Sequence, residues 1–238
     1  MGFPRETRSC CDRYLHSFGD PTAHVVLRHV SYGTVSPFLP VASGEYTVAM
    51  RSVGSAATSP PVLSTSVQVS AGCAYTVAGM GPLAGLRLQI FKDALAAPHG
   101  MALVRVIQGS LQQHQVTTSV GSDVLARKQA FASVTSYQAT STGIWAVHAS
   151  APSAGAWRKV DLPAGTIHTL LVLDYTRGLK ITDLEDAAGS QAVPAAAPAT
   201  GLGGAAPRPG SSPAPWLVAV AAGLLLTLAG GRRVNPLA

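Results

Sequence analysis

Gly44-Glu45-Tyr46-Thr47-Val48-Ala49-Met50 alternates strictly, with Tyr46, Val48 and Met50 on one side of an extended chain and Thr47 and Ala49 on the other. A period of two marks a strand with one face in a core and one toward water. The stretch returns 99 residues later as Gly143-Ile144-Trp145-Ala146-Val147. At the same offset Tyr32-Gly33-Thr34-Val35-Ser36 matches Phe131-Ala132-Ser133-Val134-Thr135. The offset then falls to 93, where Ala71–Val77 matches Ala164–Leu170 and Gly85-Leu86-Arg87-Leu88 matches Gly178-Leu179-Lys180-Ile181. Four blocks in one order, with a single six-residue adjustment, identify the body as a tandem duplication.

Further strands follow the same pattern. Leu86, Leu88 and Ile90 alternate with Arg87 and Gln89, and Val104 and Val106 flank Arg105. Ile167–Leu173 is nearly all apolar, as in a central strand buried on both faces. Hydrophobic residues are 47% and charged residues only 12% of the 238, with 24 glycines and 17 prolines scattered between the strands. That composition excludes a coiled coil, a helical bundle and a solvated disordered chain. The expected fold class is all-β: two tandem antiparallel β-sandwich (Ig-like) domains, at 20–100 and 101–186.

The second copy opens on a strong strand, Ala102-Leu103-Val104-Arg105-Val106-Ile107. Its counterpart at the repeat offset, Phe3-Pro4-Arg5-Glu6-Thr7-Arg8, is charged, holds a proline and does not alternate. The first copy is therefore expected to be incomplete. Residues 1–19 form an atypical or mis-started segment, with 1–13 outside the regular sheet and an unpaired edge where the opening strand belongs.

After Asp186 the chain changes character. Residues 187–215 carry one charge, Arg208, among Ala, Pro, Gly and Ser, and read as a disordered linker. Trp216–Gly231 is wholly uncharged and is followed by Arg232-Arg233. With Trp216 at one interface and the arginines at the other, 216–233 is expected to form one transmembrane helix. The arginines place a short tail, 234–238, in the cytoplasm and the repeats outside. Met1–Asp20 has no apolar run of a signal peptide, so the expected topology and this N-terminus conflict.

The residues that carry chemistry are sparse. The net charge of +6 is spread thinly, and Arg127-Lys128 and Arg158-Lys159 stand alone, so no nucleic-acid partner is expected. Three cysteines, Cys10, Cys11 and Cys73, make neither a disulfide framework nor a CxxC metal pair. The histidines, at 16, 24, 29, 99, 114, 148 and 168, show no HxH or HExxH spacing and read as partly buried or surface groups. Asp183, Glu185 and Asp186 form an acidic cluster that reads as a solvated strand end rather than a calcium site. Tyr46 matches Trp145, and Tyr137 matches Phe38, so these aromatics, with Tyr75, belong to cores rather than to a ligand platform. Thr200-Gly201 is a weak echo of a sortase signal. No catalytic, cofactor-binding or metal residue is assigned, no cofactor is implied and no enzyme is expected.

Tyr32-Gly33-Thr34-Val35-Ser36-Pro37, Ser43-Gly44-Glu45-Tyr46-Thr47-Val48 and Ala71-Gly72-Cys73-Ala74-Tyr75-Thr76-Val77 resemble the bacterial surface and secreted proteins of domain-of-unknown-function family number 4397, often found in tandem. Val104-Arg105-Val106-Ile107-Gln108 is similar to that family's opening strand, with Gln108 where a histidine is common. The resemblance covers about residues 20–186. It implies an extracytoplasmic β-sandwich and supplies no catalytic residues. The expected role is structural or interactive at the cell surface, with the membrane met through Trp216–Gly231 and an envelope protein or glycan as partner. The alternative is a carbohydrate- or small-ligand-binding envelope module, and a hydrolase with a non-local triad comes last.

Overall fold

The computed structural model describes residues 11–17, 24–176, 178–186 and 216–219. Its regular structure is all-β apart from a 3-10 turn at Leu83–Gly85. The first half holds β1 (Cys11–Ser17), β2 (His24–Val30), β3 (Phe38–Val41), β4 (Gly44–Ser52), β5 (Leu63–Val69), β6 (Ala74–Met80) and β7 (Arg87–Asp93). The second holds β8 (Met101–Gln108), β9 (Gln115–Val120), β10 (Asp123–Ala130), β11 (Ser133–Val134), β12 (Gln138–Ser141), β13 (Gly143–Ala151), β14 (Ala154–Leu162), β15 (Ile167–Tyr175) and β16 (Gly178–Glu185). A last strand, β17 (Trp216–Ala219), comes from the far end of the chain.

These strands form four sheets in two matching pairs. The order β2-β1-β4-β5 in the first half is repeated as β10-β9-β13-β14 in the second. The order β3-β17-β6-β7 corresponds to a sheet in which β12 and β11 pair one edge of β8, followed by β15 and β16. In the second half, Val104 and Val106 of β8, Leu170 and Val172 of β15 and Val147 of β13 meet in one buried core. In the first, Val48 of β4, Val67 and Val69 of β5 and Val77 of β6 do the same. Each half is thus two sheets closed over alternating apolar residues, as in a β-sandwich.

Alternation also builds the contact between the halves. Ala78 and Met80 of β6 pack against Ile107 of β8 and Leu171 and Leu173 of β15. β15 is buried at every position from Ile167 to Leu173, because one face fills its own sandwich and the other meets the first half. Tyr46 is buried, while Trp145 is only half-buried. Both turn their polar tips to a carbonyl four residues back: the Tyr46 hydroxyl donates to Ala42 at 3.0 Å and the Trp145 indole to Ser141 at 2.8 Å. Trp145 also explains Gly121, whose φ is +56° and where a Cβ would stand 2.9 Å from the Trp145 ring. Glycine alone meets both demands.

Of residues 1–13, expected outside the regular sheet, the structure places 11–13 within it. Cys11–Ser17 is a central strand, not an irregular tail: β1 pairs with β4 on one side and β2 on the other. The physical reason lies in β4, whose Val48 and Met50 are buried and whose backbone therefore needs partners on both edges. Residues 1–10 lie outside the described residues.

The opening-strand position of the first half is also not bare, since β17 lies between β3 and β6. The helix expected from Trp216 therefore does not begin there in this structure. The rest of that expected span, the cytoplasmic tail, Thr200-Gly201 and the linker 187–215 lie outside the described residues. Among the described residues no helix is long and apolar enough to cross a membrane.

Candidate functional site

The most unusual chemistry lies in the seam between the halves. Thr76 on β6 and Thr169 on β15 are both buried, as are Asp93 at the end of β7 and Asp186 just past β16. Thr169 stands 93 residues after Thr76 and Asp186 stands 93 after Asp93, so the seam contains two equivalent Thr–Asp pairs. Each threonine hydroxyl donates to its own aspartate, Thr76 to Asp93 at 2.8 Å and Thr169 to Asp186 at 2.8 and 2.9 Å. The repeat puts these groups on strands whose other face fills a core, which leaves them facing the seam.

Between the two pairs lies, among the described residues, the guanidinium of Arg105. Arg105 of β8 is 2% exposed. Its Nη2 donates to Asp93 Oδ1 at 2.6 Å and stands 3.8 Å from Asp186 Oδ2, and its Nε donates to Thr169 Oγ1 at 2.8 Å. The guanidinium lies 4.6 Å from the centre of the Tyr137 ring, a cation–π distance. The Tyr137 hydroxyl donates to Asp186. The halves are thus joined by a charge-assisted bond from Arg105 in one to Asp93 in the other.

One guanidinium cannot neutralise two carboxylates. Burial pushes the Asp93 carboxyl up to about 6 against the pull of Arg105, and Asp186 adds to the rise. Burial likewise raises Asp186, against Arg105, Tyr137 and Thr169. Burial also raises the Tyr137 hydroxyl, which stays protonated and so remains a donor.

A carboxyl raised in the folded state gives stability that is complete below its unfolded value of 3.8 and lost as pH rises through about 6. The melting temperature of the full chain is therefore expected to fall across that window relative to Asp93→Asn. Parallel melting curves for the two chains across the window would contradict this.

A pocket of about 260 Å³ opens beside the seam. Val35, Ser36, Pro37 and Phe38 wall one side, and Arg105, Ile107 and Asp186 are among the residues on the other. Ser36 is 6% exposed, and its Oγ has no hydrogen-bond partner among the described residues.

The acidic cluster read as a solvated strand end is corrected by this geometry. Asp186 is buried in the seam, because its threonine, tyrosine and arginine partners replace water. Asp183 instead takes His168 Nδ1 at 2.9 Å, while His168 Nε2 meets Thr166 Oγ1 at 2.8 Å, so His168 is a buried, fully bonded group. Arg105, Asp93 and the two threonines were not singled out by the sequence reading. The signal was present: at the 93-residue offset Thr76 and Asp93 both recur.

Residues 20–119 match the profile of DUF4397, a domain of unknown function. That stretch of the chain is similar to the family's domain. The DUF4397 match runs from just before β2 through β8 and into β9, so it includes Thr76, Asp93 and Arg105. No curated protein matches the chain.

Proposed function

We propose that this is an interaction protein of the cell surface, not an enzyme. Two tandem β-sandwich domains, 20–100 and 101–186, are held together by the charged seam and carried outside the membrane. The strand Cys11–Ser17 belongs with the first of them. A linker, 187–215, leads to an anchor at 216–233 and a cytoplasmic tail at 234–238. The apolar run from Trp216 supplies the anchor.

The observation that carries the reading is the use of the buried charge. Arg105, Asp93 and Asp186 bond to one another and to threonines across two halves, an arrangement that fixes their mutual orientation. A hydrolase would instead turn its nucleophile and base toward a substrate cleft. The small-ligand or glycan reading is second. It draws on Trp157, 65% exposed on β14 directly across from His148 on β13, with Ile144 70% exposed on the same two-stranded ladder. An exposed tryptophan on a flat sheet is a stacking surface for a sugar ring.

Membrane fractionation tests the anchor. The full chain is expected to pellet with membranes and to need detergent for release, whereas a chain ending at Ala214 stays in the supernatant. A full chain that remains in the supernatant without detergent would remove the membrane from this reading.

A further inference from the structure

The position of β17 can be read residue by residue against β8. Across β3, Trp216 pairs with Val41, whose counterpart at the offset of 99 is Thr140, and Thr140 pairs with Ala102 of β8. Across β6, Ala219 pairs with Thr76, whose counterpart Thr169 pairs with Arg105. Both edges give the same register: Trp216-Leu217-Val218-Ala219 stands where Ala102-Leu103-Val104-Arg105 stands in the second half.

The fit is incomplete in two ways. Ala219 brings no charge to the Arg105 position, which leaves one guanidinium for Asp93 and Asp186. In the second half Thr135 Oγ1 accepts the Val106 amide at 3.0 Å, and the Thr135 amide donates to the Val106 carbonyl at 3.0 Å. Ser36 is the counterpart of Thr135, and its buried hydroxyl is without a partner among the described residues. The pocket lies along the same backbones, at Val35–Phe38 and at Thr76 and Ala78.

We infer that the slot between β3 and β6 is an acceptor site for an extended peptide strand of pattern apolar-x-apolar-Arg-apolar, in which Trp216–Ala219 stands without the arginine. Strand addition of this kind takes its affinity from main-chain hydrogen bonds and its specificity from side chains. The register supplies the chemistry. Arg105 bonds to Thr169 on its own half and to Asp93 and, at 3.3 Å, Thr76 on the other, so by the same register a guest arginine at the Ala219 position would share Thr76 on its own half and reach Asp186 on the other. The guest amide that follows is the donor that Ser36 lacks. Phe38, the counterpart of Tyr137, supplies the aromatic face. The inference does not rest on the membrane anchor, because the slot and its partners belong to the two halves.

The test uses labelled Ala-Leu-Val-Arg-Val-Ile-Gln, the chain's own 102–108, and the same peptide with alanine for arginine. Fluorescence anisotropy follows their binding to the full chain and to full-length Val218→Pro, in which proline withdraws a ladder amide from β17. The arginine peptide is expected to bind Val218→Pro more tightly than it binds the unaltered chain. It should also bind about tenfold more tightly than the alanine peptide, the scale of one buried charge-assisted bond. Adding Asp186→Asn should remove the preference. Equal binding of the two peptides, or no binding, overturns the inference. Dimers of the unaltered chain that dissociate in Val218→Pro would overturn it in favour of a second copy as occupant.

If Val218→Pro does not fold, Ala219→Arg in the otherwise unaltered chain decides. Its melting temperature is expected to rise by several degrees, and the rise should vanish with Asp186→Asn. An unchanged or lowered melting temperature overturns the inference. The titration needs no bilayer, so failure of the chain to pellet with membranes leaves it standing.

Discussion

Arg105→Met is expected to destabilise the full chain by about 3–5 kcal/mol at neutral pH, the cost of leaving buried charge without its partner. Methionine keeps much of the volume, so packing contributes little to the loss. What remains is Asp93 and Asp186 in a dry seam without a cation between them. Both carboxyls already sit above their ordinary value with Arg105 present, and its removal drives them higher. The variant must therefore hold its seam carboxyls protonated. The loss is then largest above neutrality and shrinks in acid, where protons substitute for the guanidinium. Arg105→Lys should recover only part of the loss, because an ammonium cannot bond Asp93 and Thr169 in the guanidinium's fork geometry. Urea unfolding at several pH values reads all of this. A loss that does not change with pH would show that Arg105 acts through packing and not through charge.

The second large effect is expected at Leu170→Ala. Leu170 is fully buried on β15 and packs with Val104, Val106 and Val172. β15 is hydrogen-bonded to β16 on one side and β8 on the other, so the backbone has little freedom to collapse into the space left. The cost is about 2–5 kcal/mol, the range for large-to-small changes in rigid cores. Ile144→Ala, at a position 70% exposed, should stay within about 0.5 kcal/mol. Denaturant midpoints with unchanged slopes give both numbers. Similar losses at the two sites would mean that β15 is not the centre of the core.

Most of the strand positions were legible because alternation is a local property. Tyr46, Val48 and Met50 announce the buried face of β4 within seven residues, and the same spacing exposes Leu86 to Ile90 and Val104 to Val106. Burial was less legible than periodicity. Trp145 has the alternation of Tyr46 but remains half-buried, since exposure depends on what the facing sheet supplies. Asp186 was misread for the same reason: an acidic residue at a strand end is solvated unless something covers it. Here the cover comes from Arg105 and Tyr137, which are far away in the chain.

The sequence by itself determined the all-β class and the 93-residue spacing that sets Thr76 against Thr169 and Asp93 against Asp186, because these depend only on the order of residues along one chain. It also showed that Phe3–Arg8, at the repeat offset, does not resemble Ala102–Ile107. Only the tertiary structure decided which segments meet. It made Cys11–Ser17 a central strand, placed one arginine between two carboxylates, and seated Trp216–Ala219 in the opening-strand position of a half more than a hundred residues away. The physical reason is that strand pairing is non-local. A sheet edge fixes the direction and spacing of its partner's amides and carbonyls, not its place in the sequence, so any extended segment that satisfies the edge and buries its apolar face can take the position.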